Sequence, residues 1–220
     1  MFSYFSRMFV QPDFISRLQQ LLQQPLPGEV AQYRMAPSYR PKLSKEQIAA
    51  LNPKISGVLL LLYEKNNQYH IVLTERKKYD GVHSGQMSFP GGKKEENDHD
   101  LTATALRETE EEIGVSTKHI QLIGQLSELY IPPSNFLVYP TVGFGLNLPE
   151  FVAEKKEVET IVEVPLSHLL NPDNINLEQE IRLPGATVRV PAYTYNGHVI
   201  WGATAIMLSE FTYLCEKINE

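Results

Sequence analysis

Cysteine, long apolar runs and clusters of positive charge are all scarce in this 220-residue chain. The single cysteine, Cys215, excludes an internal disulfide and a thiolate zinc cage, which fits a reducing compartment. The densest apolar run, residues 58–63, has the length of a strand and falls far short of the ~18 residues that a membrane helix needs. Polar residues interrupt the aromatic start, so we identify no export signal. The sequence therefore predicts a soluble cytoplasmic protein with no membrane partner.

Positive charge is outweighed by negative charge, with 20 Lys and Arg against 26 Asp and Glu and a formal net charge of -6. Because Lys and Arg form no long cluster, the composition argues against nucleic acid as a partner. An anionic ligand would therefore need a local site. Hydrophobic residues make up 42% of the chain, which is ordinary for a globular protein, and the length suits one domain with short extensions.

The pattern of apolar residues divides the chain into an N-terminal helical arm, residues 1–52, and a main domain, residues 53–220. In the arm, helical spacing within 12–24 and a capping box at Ser44-Lys-Glu-Gln47 predict two short helices. In the main domain, strands are predicted at 55–63, 70–74, 120–130, 137–148, 158–164, 181–190 and 193–200, and helices at about 100–113 and 203–218. Strands flanked by a central and a terminal helix predict an α/β fold, an α/β/α sandwich with a mixed β-sheet.

Three glutamates share one face of the predicted helix 100–113. At ~100° per residue, Glu108, Glu111 and Glu112 fall within an arc of roughly 100°. The buried side is predicted on an adjacent stripe: Thr102, Ala105, Leu106, Thr109 and Ile113. Like charges at this spacing destabilise a helix by about 0.2–0.5 kcal/mol per pair, which a divalent cation would more than offset. Acidic composition alone would still favour a solvated helix face.

A glycine loop before this helix favours a ligand site instead. Phe89-Pro-Gly-Gly92 lets the backbone approach a ligand, and it lies on the N-terminal side of the helix, where peptide dipoles favour anions. A phosphate bound there would meet the loop and a metal together. A lone Pro-Gly-Gly is usually a turn, so the significance of the loop comes from its distance to Arg107 and Glu108.

Together the loop and helix resemble the Nudix box, Gly-x5-Glu-x7-Arg-Glu-U-x-Glu-Glu-x-Gly-U, in which U is aliphatic. The matching residues are Gly92, Arg107, Glu108, Glu111, Glu112, Gly114 and Val115. Fourteen residues instead of thirteen separate Gly92 from Arg107, and Thr109 occupies an aliphatic position. The box glutamate falls at Asp98 counted from Gly92, or at His99 counted from Arg107.

The extra residue and an upstream motif resemble the coenzyme A pyrophosphatase branch of this family, with Leu-Leu-Thr-x-Arg-(Ser/Ala)-x3-Arg-x3-Gly-x3-Phe-Pro-Gly-Gly. The residues in register are Leu73, Thr74, Arg76, Gly85, Phe89, Pro90, Gly91 and Gly92. Gly81 stands at the position of the second arginine of the motif, and Lys77 stands at the Ser/Ala position. These two departures weaken the assignment of coenzyme A as the specific substrate. Later similar stretches extend the resemblance over about residues 58–208.

The resemblance implies a metal-dependent pyrophosphohydrolase that uses Mg²⁺ or Mn²⁺. It would cleave the diphosphate bridge of coenzyme A to 3′,5′-ADP and 4′-phosphopantetheine. Glu108 and Glu112 would bind the metal, with Glu111 assisting and a backbone carbonyl of Gly91 or Gly92 completing the site. These oxygens suit a hard divalent cation.

The same resemblance suggests roles for the residues around the metal. Arg107 would orient the glutamates by ion pairing, and Glu111, followed by Glu157, is the candidate for the general base. Arg76 would meet the nucleotide phosphates and, with Gly91 and Gly92, form the substrate site. A surface arginine at a strand end is the alternative for Arg76.

Two other functions stay open, the first of them because Gly81 replaces the family arginine. One is hydrolysis of another nucleoside diphosphate derivative, such as ADP-ribose, a dinucleoside polyphosphate or a nucleoside triphosphate. The other is a Nudix-fold ligand sensor without catalysis, which the presence of Arg107 and of all three helix glutamates disfavours. The scattered histidines lack the spacing of a zinc site. The sequence does not determine the oligomeric state, and a homodimer stays among the expectations.

Overall fold

The computed structural model describes residues 13–77, 83–183 and 185–218. The helices are α1 (Phe14–Leu22), α2 (Glu29–Gln32), α3 (Lys45–Ala50), α4 (Leu101–Ile113), α5 (Leu166–Leu169) and α6 (Gly202–Ile218). The strands are β1 (Lys54–Lys65), β2 (Gln68–Arg76), β3 (Met87–Ser88), β4 (Gly91–Lys93), β5 (Ile120–Gln125), β6 (Leu129–Ile131), β7 (Phe136–Gly145), β8 (Val158–Pro165), β9 (Ile175–Leu183), β10 (Ala186–Tyr195) and β11 (His198–Trp201). Within these ranges, no helix is long and apolar enough to cross a membrane.

A mixed eight-stranded sheet forms the centre of the molecule. Its main path is β3-β2-β1-β7-β5, while β4 also pairs with β1, β6 with β7 and β8 with β2. β1 and β7 run parallel, and the neighbouring pairs are antiparallel. Leu59 and Leu61 of β1 pack with α4, whereas Leu60 and Leu62 pack with α1 and α6 on the opposite face. The predicted α/β/α sandwich is confirmed.

The turn between β1 and β2 is formed by two asparagines, a local sequence feature that marks where one strand ends and the next begins. Asn66 and Asn67 both have positive φ, 52° and 57°, and form the two-residue turn whose twist matches the flanking strands. The predicted strands 55–63 and 70–74 are therefore confirmed; they form an antiparallel hairpin and extend further than expected. The capping box at Ser44 is confirmed as well, since both reciprocal hydrogen bonds with Gln47 form.

The strand boundaries predicted after residue 175 are wrong. A separate three-stranded sheet, β11-β10-β9, has a turn at Gly185 and another at Asn196-Gly197 where continuous strands were expected. Gly185, Asn196 and Gly197 all adopt positive φ, which ends one strand and begins the next. Similarly, the predicted strand 120–130 divides into β5 and β6.

The arm is joined to the main core by apolar and polar contacts. Phe14, Leu18 and Leu22 of α1 are buried in the same cluster as residues of α6. The fully buried carboxylate of Glu210 accepts hydrogen bonds from the arm: Gly28 N, 3.0 Å, and Gln32 Nε2, 2.9 Å. It also accepts hydrogen bonds from the β5–β6 loop: Ser127 N, 3.2 Å, and Ser127 Oγ, 2.6 Å. The division at residues 52 and 53 stays a prediction.

Candidate active site

Helix α4 is fixed in position by its ends and by close packing on β1. The Asp100 side chain accepts a hydrogen bond from Ala103 N, and Gly114 ends the helix in the left-handed conformation with φ 73°. At Gly57 of β1, a Cβ would lie only 2.3 Å from the carbonyl oxygen of Leu101, so glycine permits the close approach of the helix. This packing places the acidic part of α4 beside β4.

The buried side of α4 matches the predicted stripe in part, since Ala105, Thr109 and Ile113 are buried as predicted. Thr102 and Leu106 are only half-buried, whereas Thr104 and Glu112 are buried. The helix is rotated so that one of its three box glutamates faces inward. The exposed side-chain fractions are 4% for Glu112, 14% for Glu108 and 58% for Glu111.

Glu112 is a buried carboxylate with little compensation for its charge. Its Oε2 atom has no hydrogen-bond partner among the described residues, and its Oε1 atom lies 3.9 Å from Arg76 Nη1. Burial raises the pKa of Glu112 to about 8, and the negative charges of Glu108 and Glu157 add to this rise. The charge of Arg76 and a backbone hydrogen bond from Gly91 oppose it. Burial is likewise the main cause of a raised pKa for Glu108. A cation at this position would relieve both groups.

The two glycines of β4 make room for these carboxylates. Gly91 and Gly92 pair with Val58 and Gly57 of β1. A Cβ at Gly92 would lie 2.3 Å from Glu108 Oε1, so any side chain there would displace the carboxylate. Glycine at this position therefore lets Glu108 lie directly against the loop backbone.

Arg107 joins Asp98 to the box glutamates. Its Nε and Nη2 atoms each donate to Asp98 at 3.0 Å, and Nη1 donates to Glu108 at 3.0 Å and Glu111 at 3.2 Å. Asp98 also accepts from Thr104 Oγ1 at 2.9 Å. The Arg107 guanidinium is the main reason that the pKa of Asp98 lies well below its usual range. This network holds Glu108 and Glu111 at defined positions.

Asp98, and not His99, forms an ion pair with Arg107, which favours the count from Gly92 for the box glutamate. The Asp98 side chain is 5% exposed and paired with Arg107, while that of His99 is 82% exposed and lies 3.4 Å from Asp100. The sequence left both positions open, because the extra residue between Gly92 and Arg107 lets the box glutamate be placed by counting from either of them. The ion pair with Arg107, which only the fold reveals, distinguishes them.

Arg76 and Glu157 both lie near the two buried glutamates, Glu108 and Glu112, which we call the acidic pair. Arg76 ends β2 and pairs with Val158, next to Glu157, and Lys77 N donates to the Glu157 carbonyl at 3.0 Å. Glu157 is exposed, and its charge acts on both Glu108 and Glu112. The structure thus brings Arg76, Arg107, Glu157, Gly91 and Gly92 together around Glu108 and Glu112, with Glu111 at the solvent side. Gly81 lies outside the described residues.

The family model of the NUDIX domain matches residues 53–182, a range that contains the whole loop and acidic helix. The chain belongs to the Nudix family. It is therefore a Nudix hydrolase, an enzyme of a class that acts on small nucleoside diphosphate substrates and generally uses divalent metal ions.

Two curated relatives illustrate the similarity. The uncharacterized Nudix hydrolase NudL of Yersinia enterocolitica is 31% identical over 207 residues, covering 94% of this chain and 92% of the relative. The mitochondrial coenzyme A diphosphatase NUDT8 of Homo sapiens is 32% identical over 158 residues, covering 71% and 63%. A solved structure, the MutT protein of Methanosarcina mazei Go1, aligns with a TM-score of 0.49 at 18% identity, covering 76% and 95%.

The donor set of this Nudix hydrolase fits a hard divalent cation. Over the described ranges, no three acidic, histidine or cysteine side chains are already gathered as a metal cluster. Mg²⁺ needs only one or two protein carboxylates, because substrate phosphates and waters complete its coordination. Glu108 and Glu112 supply that number, and the unpartnered Oε2 of Glu112 is a buried oxygen without a donor. The residues present therefore fit the metal that the family uses.

Proposed function

We propose that this Nudix hydrolase cleaves the diphosphate bridge of coenzyme A or its derivatives, giving 3′,5′-ADP and 4′-phosphopantetheine. The observation that carries the hydrolysis is the buried pair Glu108 and Glu112 beside Gly91-Gly92, with Glu112 Oε2 unpartnered. Coenzyme A is supported by the upstream motif that ends at Gly92 and by the extra residue before Arg107. It is also supported by the similarity to a relative named a coenzyme A diphosphatase.

Glu108 and Glu112 would hold Mg²⁺ or Mn²⁺, with Glu111 assisting and a carbonyl of Gly91 or Gly92 as a further ligand. A cation held there would neutralise charge on the diphosphate and lower the pKa of water at the site. Arg107, itself held by two hydrogen bonds to Asp98, would keep the glutamates oriented.

Two further groups would act on the substrate itself. Arg76 would bind a phosphate oxygen, because its guanidinium reaches the acidic pair from the end of β2. The base, Glu111 or else Glu157, would take a proton from the water that attacks phosphorus, while the bridging P–O bond breaks and its oxygen leaves with the other phosphate.

A substrate comparison tests this proposal. Initial rates are measured on coenzyme A, ADP-ribose, a dinucleoside polyphosphate and a nucleoside triphosphate, with Mg²⁺ and with Mn²⁺, and the products are identified. We expect the highest kcat/KM for coenzyme A and the two products named above. Equal or better turnover of another compound would reject coenzyme A as the substrate, and absence of all turnover would favour a ligand sensor.

A further inference from the structure

A pocket of about 350 Å³ lies along β8, away from the acidic pair. Its walls are residues 160–163 of β8, Lys65 and His70 of the β1–β2 hairpin, and Tyr195 and His198 of the β10–β11 hairpin. None of these residues belongs to the proposed metal site. The pocket is nevertheless connected to that site through a single strand, because β8 begins at Val158 opposite Arg76.

Residues 160–163, which line this pocket, belong to a strand that has one edge without a strand partner among the described residues. In the described part of the chain, β8 pairs only with β2, so its other edge has no strand partner. In antiparallel pairing, alternate residues direct both N–H and C=O away from the partner strand. At ~3.3 Å per residue, Thr160 to Glu163 lie roughly 7–17 Å from Val158 along the strand. A ligand anchored near Arg76 would need an extended arm to follow this edge.

The charges that line the pocket are already balanced. Lys65 Nζ lies 2.7 Å from Glu163 Oε2, and His198 Nδ1 lies 3.3 Å from Glu75 Oε2. Burial lowers the pKa of His70, which favours its neutral form. Because each cation has an acidic neighbour, the pocket lacks the excess positive charge that a phosphate dianion would require. It suits a neutral ligand that carries hydrogen-bonding groups.

We infer that the β8 edge and this pocket bind the pantetheine arm of the substrate, an inference that rests on the proposed hydrolysis of coenzyme A. The pantetheine arm is extended and uncharged, and it carries two secondary amides. These amides pair with the outward backbone groups of residues 160–163 as an added strand would, and the distal end of the arm enters the pocket. The nucleotide half lies on the other side of the diphosphate.

A matched pair of variants tests this assignment on the full chain. Thr160 lines the pocket, so Thr160→Tyr puts a larger side chain into it. Thr187→Tyr places the same side chain at an exposed site of β10 outside the pocket. Binding of 4′-phosphopantetheine and of 3′,5′-ADP is measured by calorimetry with Mg²⁺ present. We expect Thr160→Tyr to weaken 4′-phosphopantetheine about tenfold or more relative to Thr187→Tyr, and to change the Kd of 3′,5′-ADP by less than about twofold.

Equal binding of 4′-phosphopantetheine by the two variants would overturn the inference. Selective weakening of 3′,5′-ADP would overturn it too, because the nucleotide half would then occupy the pocket. If Thr160→Tyr does not fold, His198→Ala decides the question, since it removes one wall and should weaken 4′-phosphopantetheine roughly threefold. Failure of the proposed function is seen separately, as absence of coenzyme A turnover by the unsubstituted protein.

Discussion

Replacing Glu112 by glutamine should stabilise the metal-free protein at alkaline pH. Burial raises the pKa of Glu112 from 4.5 to about 8, so the folded protein keeps a proton that the unfolded chain releases. The free energy of unfolding therefore falls as pH rises above 4.5, and the loss is complete above about 8.

At about 1.36 kcal/mol per pH unit, the full loss in the free energy of unfolding is about 5 kcal/mol. This value is an upper bound, because water can enter when the Glu112 carboxylate ionises. About 4 kcal/mol of it falls between pH 5 and pH 9. Glutamine does not ionise and escapes this loss.

Urea unfolding in the presence of a chelator measures the effect. The free energy of unfolding of Glu112→Gln minus that of the unsubstituted protein should grow by about 2–4 kcal/mol from about pH 5 to about pH 9. Glu110→Gln, an exposed site on the same helix, is the control and should show no such growth. A cation at about 100 times its Kd should stabilise the unsubstituted protein by about 2.7 kcal/mol, and Glu112→Gln far less. A pH-independent difference between Glu112→Gln and the unsubstituted protein would refute the argument from burial.

Four further predictions concern the same site. Glu108→Gln should lower metal-dependent kcat about a hundredfold or more with an unchanged circular dichroism spectrum, and an unchanged rate would contradict the metal assignment. Gly92→Ala puts a Cβ where Glu108 Oε1 now lies 2.3 Å away, so kcat/KM should fall about tenfold or more; full activity would show that Glu108 is not held by the loop. Asp98→Asn weakens the two hydrogen bonds from Arg107 and should raise the Mg²⁺ concentration for half-maximal rate about tenfold, whereas an unchanged metal titration would assign Asp98 a purely structural role. Protons and cations compete for Glu112, so calorimetric Kd values for Mn²⁺ should fall up to about tenfold per pH unit until about pH 8; a flat profile would contradict this competition.

The elements with strong periodicity were predictable from the sequence. The apolar run of β1, the length of α4 and the apolar repeat of α6 are all local patterns that survive in the fold. Asn196-Gly197 carried an equally local signal, since this pair favours a two-residue hairpin turn, and overlooking it merged parts of two strands.

The burial of Glu112 was not predictable in the same way. Helical spacing places the three glutamates on one arc, but the side of α4 that is buried is determined by the packing of the helix on β1, where Gly57 permits close approach. Asp98 was ambiguous for a related reason, because its role depends on reaching Arg107 through the fold. Local sequence therefore predicted the chemical groups, while long-range packing determined their exposure.

The buried carboxylate of Glu210 also has a consequence for how the protein is made. Its partners Gly28 and Gln32 leave the ribosome long before it does, since 182 and 178 positions separate them in the chain. While synthesis proceeds, the donors of the arm have no acceptor and α1 has no helix α6 to cover its apolar face. The contacts between the arm and α6 therefore form only after α6 has emerged, and nascent chains that stop short of residue 210 should expose the arm to proteases and chaperones.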